Sequence, residues 1–156
     1  MKRNKVLTYL LFLLLPLAVG GLAALVTYHG MPVYEQLEKP VFTPPSFLFP
    51  IVWNLLYVLM GIGAARVWLS QDPMRGQRLR PFVLQLILNF FWTVWFFGAG
   101  QYLLAFFWLL ILLCVIGWMI AAFFKADPLA GRLQIPYLLW TGFAAVLNFS
   151  IFLLNL

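Results

Sequence analysis

Five stretches of this chain, at about 6–28, 47–69, 81–97, 102–124 and 134–155, are apolar over lengths that cross a bilayer. A helix rises about 1.5 Å per residue, so roughly 17–25 residues span a hydrocarbon core of about 30 Å. Within lipid the backbone must satisfy its own N–H and C=O groups, which leaves helices as the form for such segments. The expectation is an all-α integral membrane protein, a single transmembrane domain over 1–156 built as a five-helix bundle. Composition agrees: with 65% hydrophobic and 9% charged residues and a mean hydropathy of +0.98, the chain cannot cover itself with polar surface. The first stretch follows basic residues like a signal peptide, but it is longer than an h-region of about 7–15 residues and more apolar segments follow. It reads as a span.

Charge sets the orientation. If all five stretches cross, Lys2, Arg3, Lys5, Arg75, Arg78, Arg80, Lys125 and Arg132 share one side, with Arg66 at the adjoining helix end. The other side holds only Lys39. If the membrane is a bacterial plasma membrane, the positive-inside rule then places the N-terminus in the cytoplasm and the C-terminus outside. The net charge of +6 is accounted for by short juxtamembrane connections, which favour anionic lipid and give no support for a nucleic-acid partner.

Several chemistries lack their residues. Glu35, Glu38, Asp72 and Asp127 all fall in loops, so no carboxylate stands at membrane depth for a proton relay or ion-coupled pump. Glu35 and Glu38 have no enclosing groove and make a poor hydrolytic pair. Cys114 is the only cysteine and reads as a small buried hydrophobe. His29 is the only histidine; it builds neither a metal cluster nor a nucleophilic triad and leaves at most one axial ligand for a haem. No metal site is expected.

The spans carry amides and aromatic rings instead. Gln85, Asn89, Trp92 and Phe96 fall on one helical face, and Trp140, Ala144, Leu147 and Asn148 do much the same in the fifth span. Asn and Gln can bridge helices, and Trp and Tyr can anchor at the interface. Trp68 and Trp95, near span ends, read as such anchors. For Trp53, Trp92 and Trp140, packing and pocket lining both stay open.

A site is expected where the loop 29–46 meets the second span, in the run KPVFTPPSFLFPIVWNLLYVLMGIGAARVW. Thr43 suits an N-cap and Pro44 a first helical position, so a helix is predicted from Pro44, with a kink at Pro50. Its free N–H groups at Pro44 to Phe47 would favour an anion. Trp53, Tyr57, Gly61, Ala64 and Trp68 then share a face that can admit a flat partner. Pro32 and Pro40 bracket a short helical turn, and the proline-stiffened loop reads as a lid over one mouth of the bundle.

The runs KPVFTPPSFLFPIVWNLLYVLMG, QLILNFFWTVWFFG and PYLLWTGFAAVLNF, in that order, closely resemble the tryptophan-rich sensory protein family, also called the translocator protein or peripheral benzodiazepine receptor family. The resemblance covers essentially the whole chain. It implies five membrane helices, often a homodimer, and a pocket under the first long loop for porphyrins and, in some members, sterols or benzodiazepine-type drugs. Pro44, Pro45, Trp53, Asn89, Trp92, Trp140, Ala144, Leu147 and Asn148 match family positions associated with that pocket or its support, as do Ala23, Tyr34, Tyr57 and Trp108. Where members often have loop tryptophans this chain has Val33, Val41 and Phe42. The terminal stretch VLNFSIFLLNL lacks the Tyr and basic residue of the proposed sterol pattern.

The resulting reading is a membrane receptor for a tetrapyrrole such as free-base protoporphyrin IX, needing no cofactor, with a sensory, regulatory or trafficking role. The amides would satisfy polar atoms of the ligand. The alternatives are a light-dependent porphyrin-degrading enzyme and a porphyrin or sterol transporter.

Overall fold

The computed structural model describes residues 4–156, so the Lys2 and Arg3 used in the charge argument lie outside the described residues. Helix α1 (Lys5–Thr27) starts at Asn4, whose side chain caps it by accepting from the Leu7 N–H at 3.1 Å. A 3-10 turn, Tyr28–Gly30, leads into the short α2 (Met31–Gln36). After an irregular stretch come α3 (Leu48–Leu69), the single turn α4 (Arg75–Arg78) and α5 (Arg80–Thr93). A π-helical turn, Val94–Gly98, extends α5, and α6 (Tyr102–Ala126), α7 (Pro128–Arg132) and α8 (Ile135–Leu154) complete the chain. Five of these runs are long and apolar enough to cross a membrane: Lys5–Gln36, Leu48–Leu69, Arg75–Gly98, Tyr102–Ala126 and Pro128–Leu154.

The bundle closes through α1 on α3 and α5, α5 on α6, and α6 on α8. Small residues set the closest approaches. A Cβ at Gly61 would lie 2.6 Å from the Phe12 carbonyl oxygen, and one at Gly20 would fall on the Tyr57 ring. Gly20 and Gly61 therefore serve the α1–α3 seam. Along α3 and α8 the backbones scarcely meet, and aromatic side chains span the gap between them.

The basic end is held by two acidic residues. Asp127 caps α7 by accepting from the N–H groups of Leu129 and Ala130, and its other oxygen lies 2.9 Å from Arg66 Nε at the end of α3. Asp72 accepts from the Met74 N–H at 2.7 Å and from Arg78 Nε at 3.0 Å. Those bonds, the backbone one first, hold its carboxyl below the usual carboxylate range. Arg75 lies over the Trp68 ring at 4.6 Å, as suits an interfacial tryptophan. At the opposite end the turn from α5 to α6 passes through Gly100 at φ +62°, a left-handed conformation that glycine adopts without a Cβ penalty.

Five sequence expectations are corrected. The helix of the second span, placed at about 47–69, begins at Leu48 and not at Pro44, because the Thr43 hydroxyl donates to the Pro40 carbonyl at 2.7 Å and closes a turn instead of capping a helix. Pro50 then falls in the first helical turn, so the reason for a kink there is gone. Because the helix starts only at Leu48, Pro44 to Phe47 precede its first turn, Pro44 and Pro45 carry no N–H, and the Leu48 and Phe49 N–H groups donate back to the Pro45 and Ser46 carbonyls, so the expected anion notch loses its basis. Cys114 is exposed on the outer face of α6, and Glu35 lies in α2.

Candidate functional site

Where the α3 and α8 backbones scarcely meet, side chains of α1, the lid, α3, the end of α5 and α8 line a cavity of about 510 Å³ beneath the lid. That volume lies within the range of about 300–1,000 Å³ typical of small-molecule sites. Its walls are aromatic. Trp53 of α3 contacts Trp92 of α5 at 6.0 Å between ring centroids, and Trp92 contacts Phe96 at 5.7 Å. Phe96 and Phe97, 4.8 Å apart, continue to Tyr34 of α2, with 5.3 Å between the Phe97 and Tyr34 rings. Tyr34 meets Phe49 at 6.3 Å, and Phe49 meets Trp140 of α8 edge-on at 5.9 Å, bringing the belt round to the far wall. Each such pair contributes about 0.5–1.5 kcal/mol beyond its burial.

The π turn explains why two consecutive phenylalanines reach one wall. The Ala99 N–H bonds to the Val94 carbonyl at 2.9 Å, five residues back, and this wider turn sets Phe96 and Phe97 side by side. The lid is seated on the same turn, since any Cβ at Gly30 would collide with the Phe97 carbonyl. Further along, Asn155 holds the lid by both backbone groups of Glu38, accepting from its N–H at 3.0 Å and donating to its carbonyl at 2.8 Å. The Ser46 hydroxyl donates to Glu35 at 2.7 Å, and Lys39 lies over the Tyr34 ring at 4.8 Å.

Behind the aromatic wall runs a chain of polar groups. The Tyr57 hydroxyl donates to Asn89 Oδ1 at 3.2 Å, Asn89 Nδ2 donates to the Tyr137 hydroxyl at 2.8 Å, and Tyr137 donates to Gln85 Oε1 at 2.7 Å. All four residues are buried, so every bond here replaces water that lipid and packing exclude. A second clasp joins three helices: Trp92 Nε1 donates to Asn148 Oδ1 at 3.1 Å, and Asn148 Nδ2 donates to the Tyr102 carbonyl at 2.8 Å. The amides thus orient the rings, and their capacity is engaged by the protein more than offered to a ligand.

Of the residues named from sequence, Ala23, Tyr34, Trp53, Tyr57, Trp92, Trp140, Ala144, Leu147 and Asn148 line the cavity. Asn89 stands behind it and holds Tyr57. Pro44 and Pro45 form the turn before α3 and do not line it; Trp108 faces elsewhere, donating to the Leu88 carbonyl at 2.8 Å and packing on Trp95. Phe96, placed from sequence on the Trp92 face but not among the site residues, is also on the wall, and sequence reading left out Phe49, Phe97 and Phe143 on the walls and Asn54 on the rim. Spacing held a signal for three of them, because Phe49 precedes Trp53 by four residues, Phe143 follows Trp140 by three, and Phe96 follows Trp92 by four.

The sequence profile of the TspO/MBR family matches residues 12–154. The chain belongs to the TspO/MBR family. Among proteins similar to it, the tryptophan-rich protein TspO of Chlorobaculum tepidum is 36% identical over 164 aligned positions, covering 97% of this chain and 98% of that one. Protein CrtK of Rhodobacter capsulatus is 36% identical over 130 residues, or 78% of each chain. The translocator protein of Sus scrofa is 35% identical over 148 residues, covering 90% of this chain and 85% of its own. Family membership and the five apolar helices make this an integral, multi-pass membrane protein of TspO type.

Proposed function

We propose that the protein is a membrane receptor for tetrapyrroles, free-base porphyrins above all, and similar planar hydrophobic ligands, with a sensory, regulatory or trafficking role. The observation that carries this reading is the aromatic belt from Trp53 and Trp92 through Tyr34 to Trp140 around a cavity of about 510 Å³, a shape and chemistry suited to a flat macrocycle. Among the described residues no imidazole or thiol lines the cavity, which favours a free-base ring over one needing such an axial ligand. Relatives named for sensing and for translocation point the same way. The test is quenching of tryptophan fluorescence by protoporphyrin IX in reconstituted vesicles against a lipid-only blank. Saturable quenching in wild type, lost in Ala144→Phe and kept in Trp68→Phe, supports the site; equal quenching in all three removes it.

One observation favours a second reading, a light-dependent porphyrin-degrading enzyme. Trp53, Trp92 and Trp140 all face the space a macrocycle would fill, where an indole can donate an electron to an excited ring. Incubation in dark and light, with porphyrin in micelles as control, decides it. A bilin-like product formed faster than in the control, and lost in a Trp→Phe variant that still binds, establishes the enzyme.

The orientation belongs to the same proposal: basic end in the cytoplasm, lid and C-terminus outside. In a Cys114→Ser background, Leu156→Cys should react with an impermeant maleimide in intact cells and Arg75→Cys should not.

A further inference from the structure

The residues that line the cavity and are also exposed belong to only two stretches. Leu17, Gly21, Ala24 and Tyr28 lie on α1 and the turn after it, and Pro50 and Asn54 lie on α3; Met31, at the start of α2, continues the first group. The other walls are shut. On α5 and α8, Trp92, Phe96, Ala144, Leu147 and Asn148 are buried, and above them the lid is clasped by Asn155 and by the Ser46–Glu35 bond. Lower down, α1 and α3 are in close contact at Gly61 and Gly20. Toward the lid they part, and a Cβ at Gly21 would meet nothing within 4 Å. The cavity is therefore open along a slot between two membrane helices.

Asn54 stands on that slot. It lies within an apolar span, is exposed, and its carboxamide makes no hydrogen bond among the described residues, unlike Gln85, Asn89 and Asn148. An amide facing hydrocarbon without a partner is costly, and its position on the cavity rim gives it access to whatever spans the slot. The geometry points to a sideways passage between α1 and α3, open to the bilayer, at which Asn54 hydrogen-bonds the polar edge of a planar amphiphile whose apolar body fills the aromatic cavity. This rests on the tetrapyrrole reading above and adds to it a route and a selecting residue: a ligand reaches the site from the membrane, and one with a carboxyl-bearing edge is held better than one with alkyl edges alone.

The test uses the full chain in vesicles and two probes with the same macrocycle, protoporphyrin IX with its carboxyl groups and etioporphyrin with alkyl groups only. Stopped-flow quenching gives association and dissociation rates. Asn54→Leu should weaken protoporphyrin about three- to tenfold, the worth of one hydrogen bond, leave etioporphyrin unchanged, and be rescued by Asn54→Gln. Gly21→Phe should slow association and dissociation of both probes several-fold, with thermal unfolding confirming that the variant is folded. Asn155→Ala, which frees the lid, should leave the rates as they are. Faster exchange in Asn155→Ala together with unchanged rates in Gly21→Phe overturns the slot in favour of passage over the lid. Equal effects of Asn54→Leu on both probes overturn the role of Asn54. Failure of both porphyrins to bind wild type overturns the tetrapyrrole reading itself, and this inference with it.

Discussion

The two halves of the bundle use similar residues to opposite ends. In the half toward the basic end, glycines bring helices into contact: Gly61 takes the Phe12–Leu13 backbone, Gly63 admits the Gln134 side chain, and Gly131 lies against the Phe124 ring. Gln134 then donates to the Leu59 carbonyl at 3.0 Å and ties α3 to α8. In the half toward the lid, Gly21 and Ala24 on α1 and Ala144 on α8 line the cavity, and the gap between α3 and α8 is spanned by rings. Toward the basic end small residues sit in close contact, whereas Gly21, Ala24 and Ala144 border the cavity. One half is a clamp and the other a vessel.

The comparison predicts a graded set of losses. The largest is expected from Gly61→Leu, where the added atoms meet backbone that cannot retreat, at a cost of about 3 kcal/mol or more. The same change at Gly21 should cost almost nothing. Thermal unfolding of the two in one detergent measures the contrast, and equal losses would mean that the halves do not differ in packing. Next is Ala144→Phe, expected to weaken porphyrin binding by about tenfold or more through lost volume, with the thermal midpoint little changed. A parallel fall in stability would show that Ala144 packs instead of lining.

A smaller effect is expected for Tyr137→Phe. It leaves Asn89 Nδ2 and Gln85 Oε1 without their common partner, at about 1–2 kcal/mol. Chemical denaturation should register that loss, and porphyrin affinity should fall only as far as Tyr57 shifts. The smallest belongs to Asp72→Asn at the surface of the basic end. The folded carboxyl is held below its ordinary value, so the stability it adds is present above the unfolded pKa and is lost as pH falls through the lower folded one. Wild type and variant should therefore differ slightly near neutral pH and converge in acid; divergence in acid would contradict the assigned bonds.

Much of this fold was legible because lipid leaves few options. The predicted span limits at 6–28, 102–124 and 134–155 fall within two residues of α1, α6 and α8. The limits 47–69 also fall within one residue of α3, but the role of Thr43 before it was not legible, because Thr43 suits a cap and a tight turn equally well and only the Pro40 carbonyl decides between them. Within the site, Trp53, Trp92 and Trp140 stood out as rare, large groups at helical spacing. The phenylalanines did not, since with 16 of them in the chain one more phenylalanine carries little information. The π turn at Val94–Gly98 has no signature in the sequence, yet it brings Phe97 onto the wall. Asn89 and Asn148 look alike on paper, but one stands behind the rings and the other among them.

Tyr57 belongs to both halves at once. Its ring forms part of the cavity and fills the space left by Gly20, while its hydroxyl begins the polar chain that reaches Gln85. Variation in the site is therefore unevenly free. At Ala144 or Phe143 a lineage can reshape its ligand preference by single steps that leave the frame alone. At Tyr57 the same step changes shape, seam and hydrogen bonding together, so new specificities should arise through the fifth span and the lid long before they arise through this tyrosine.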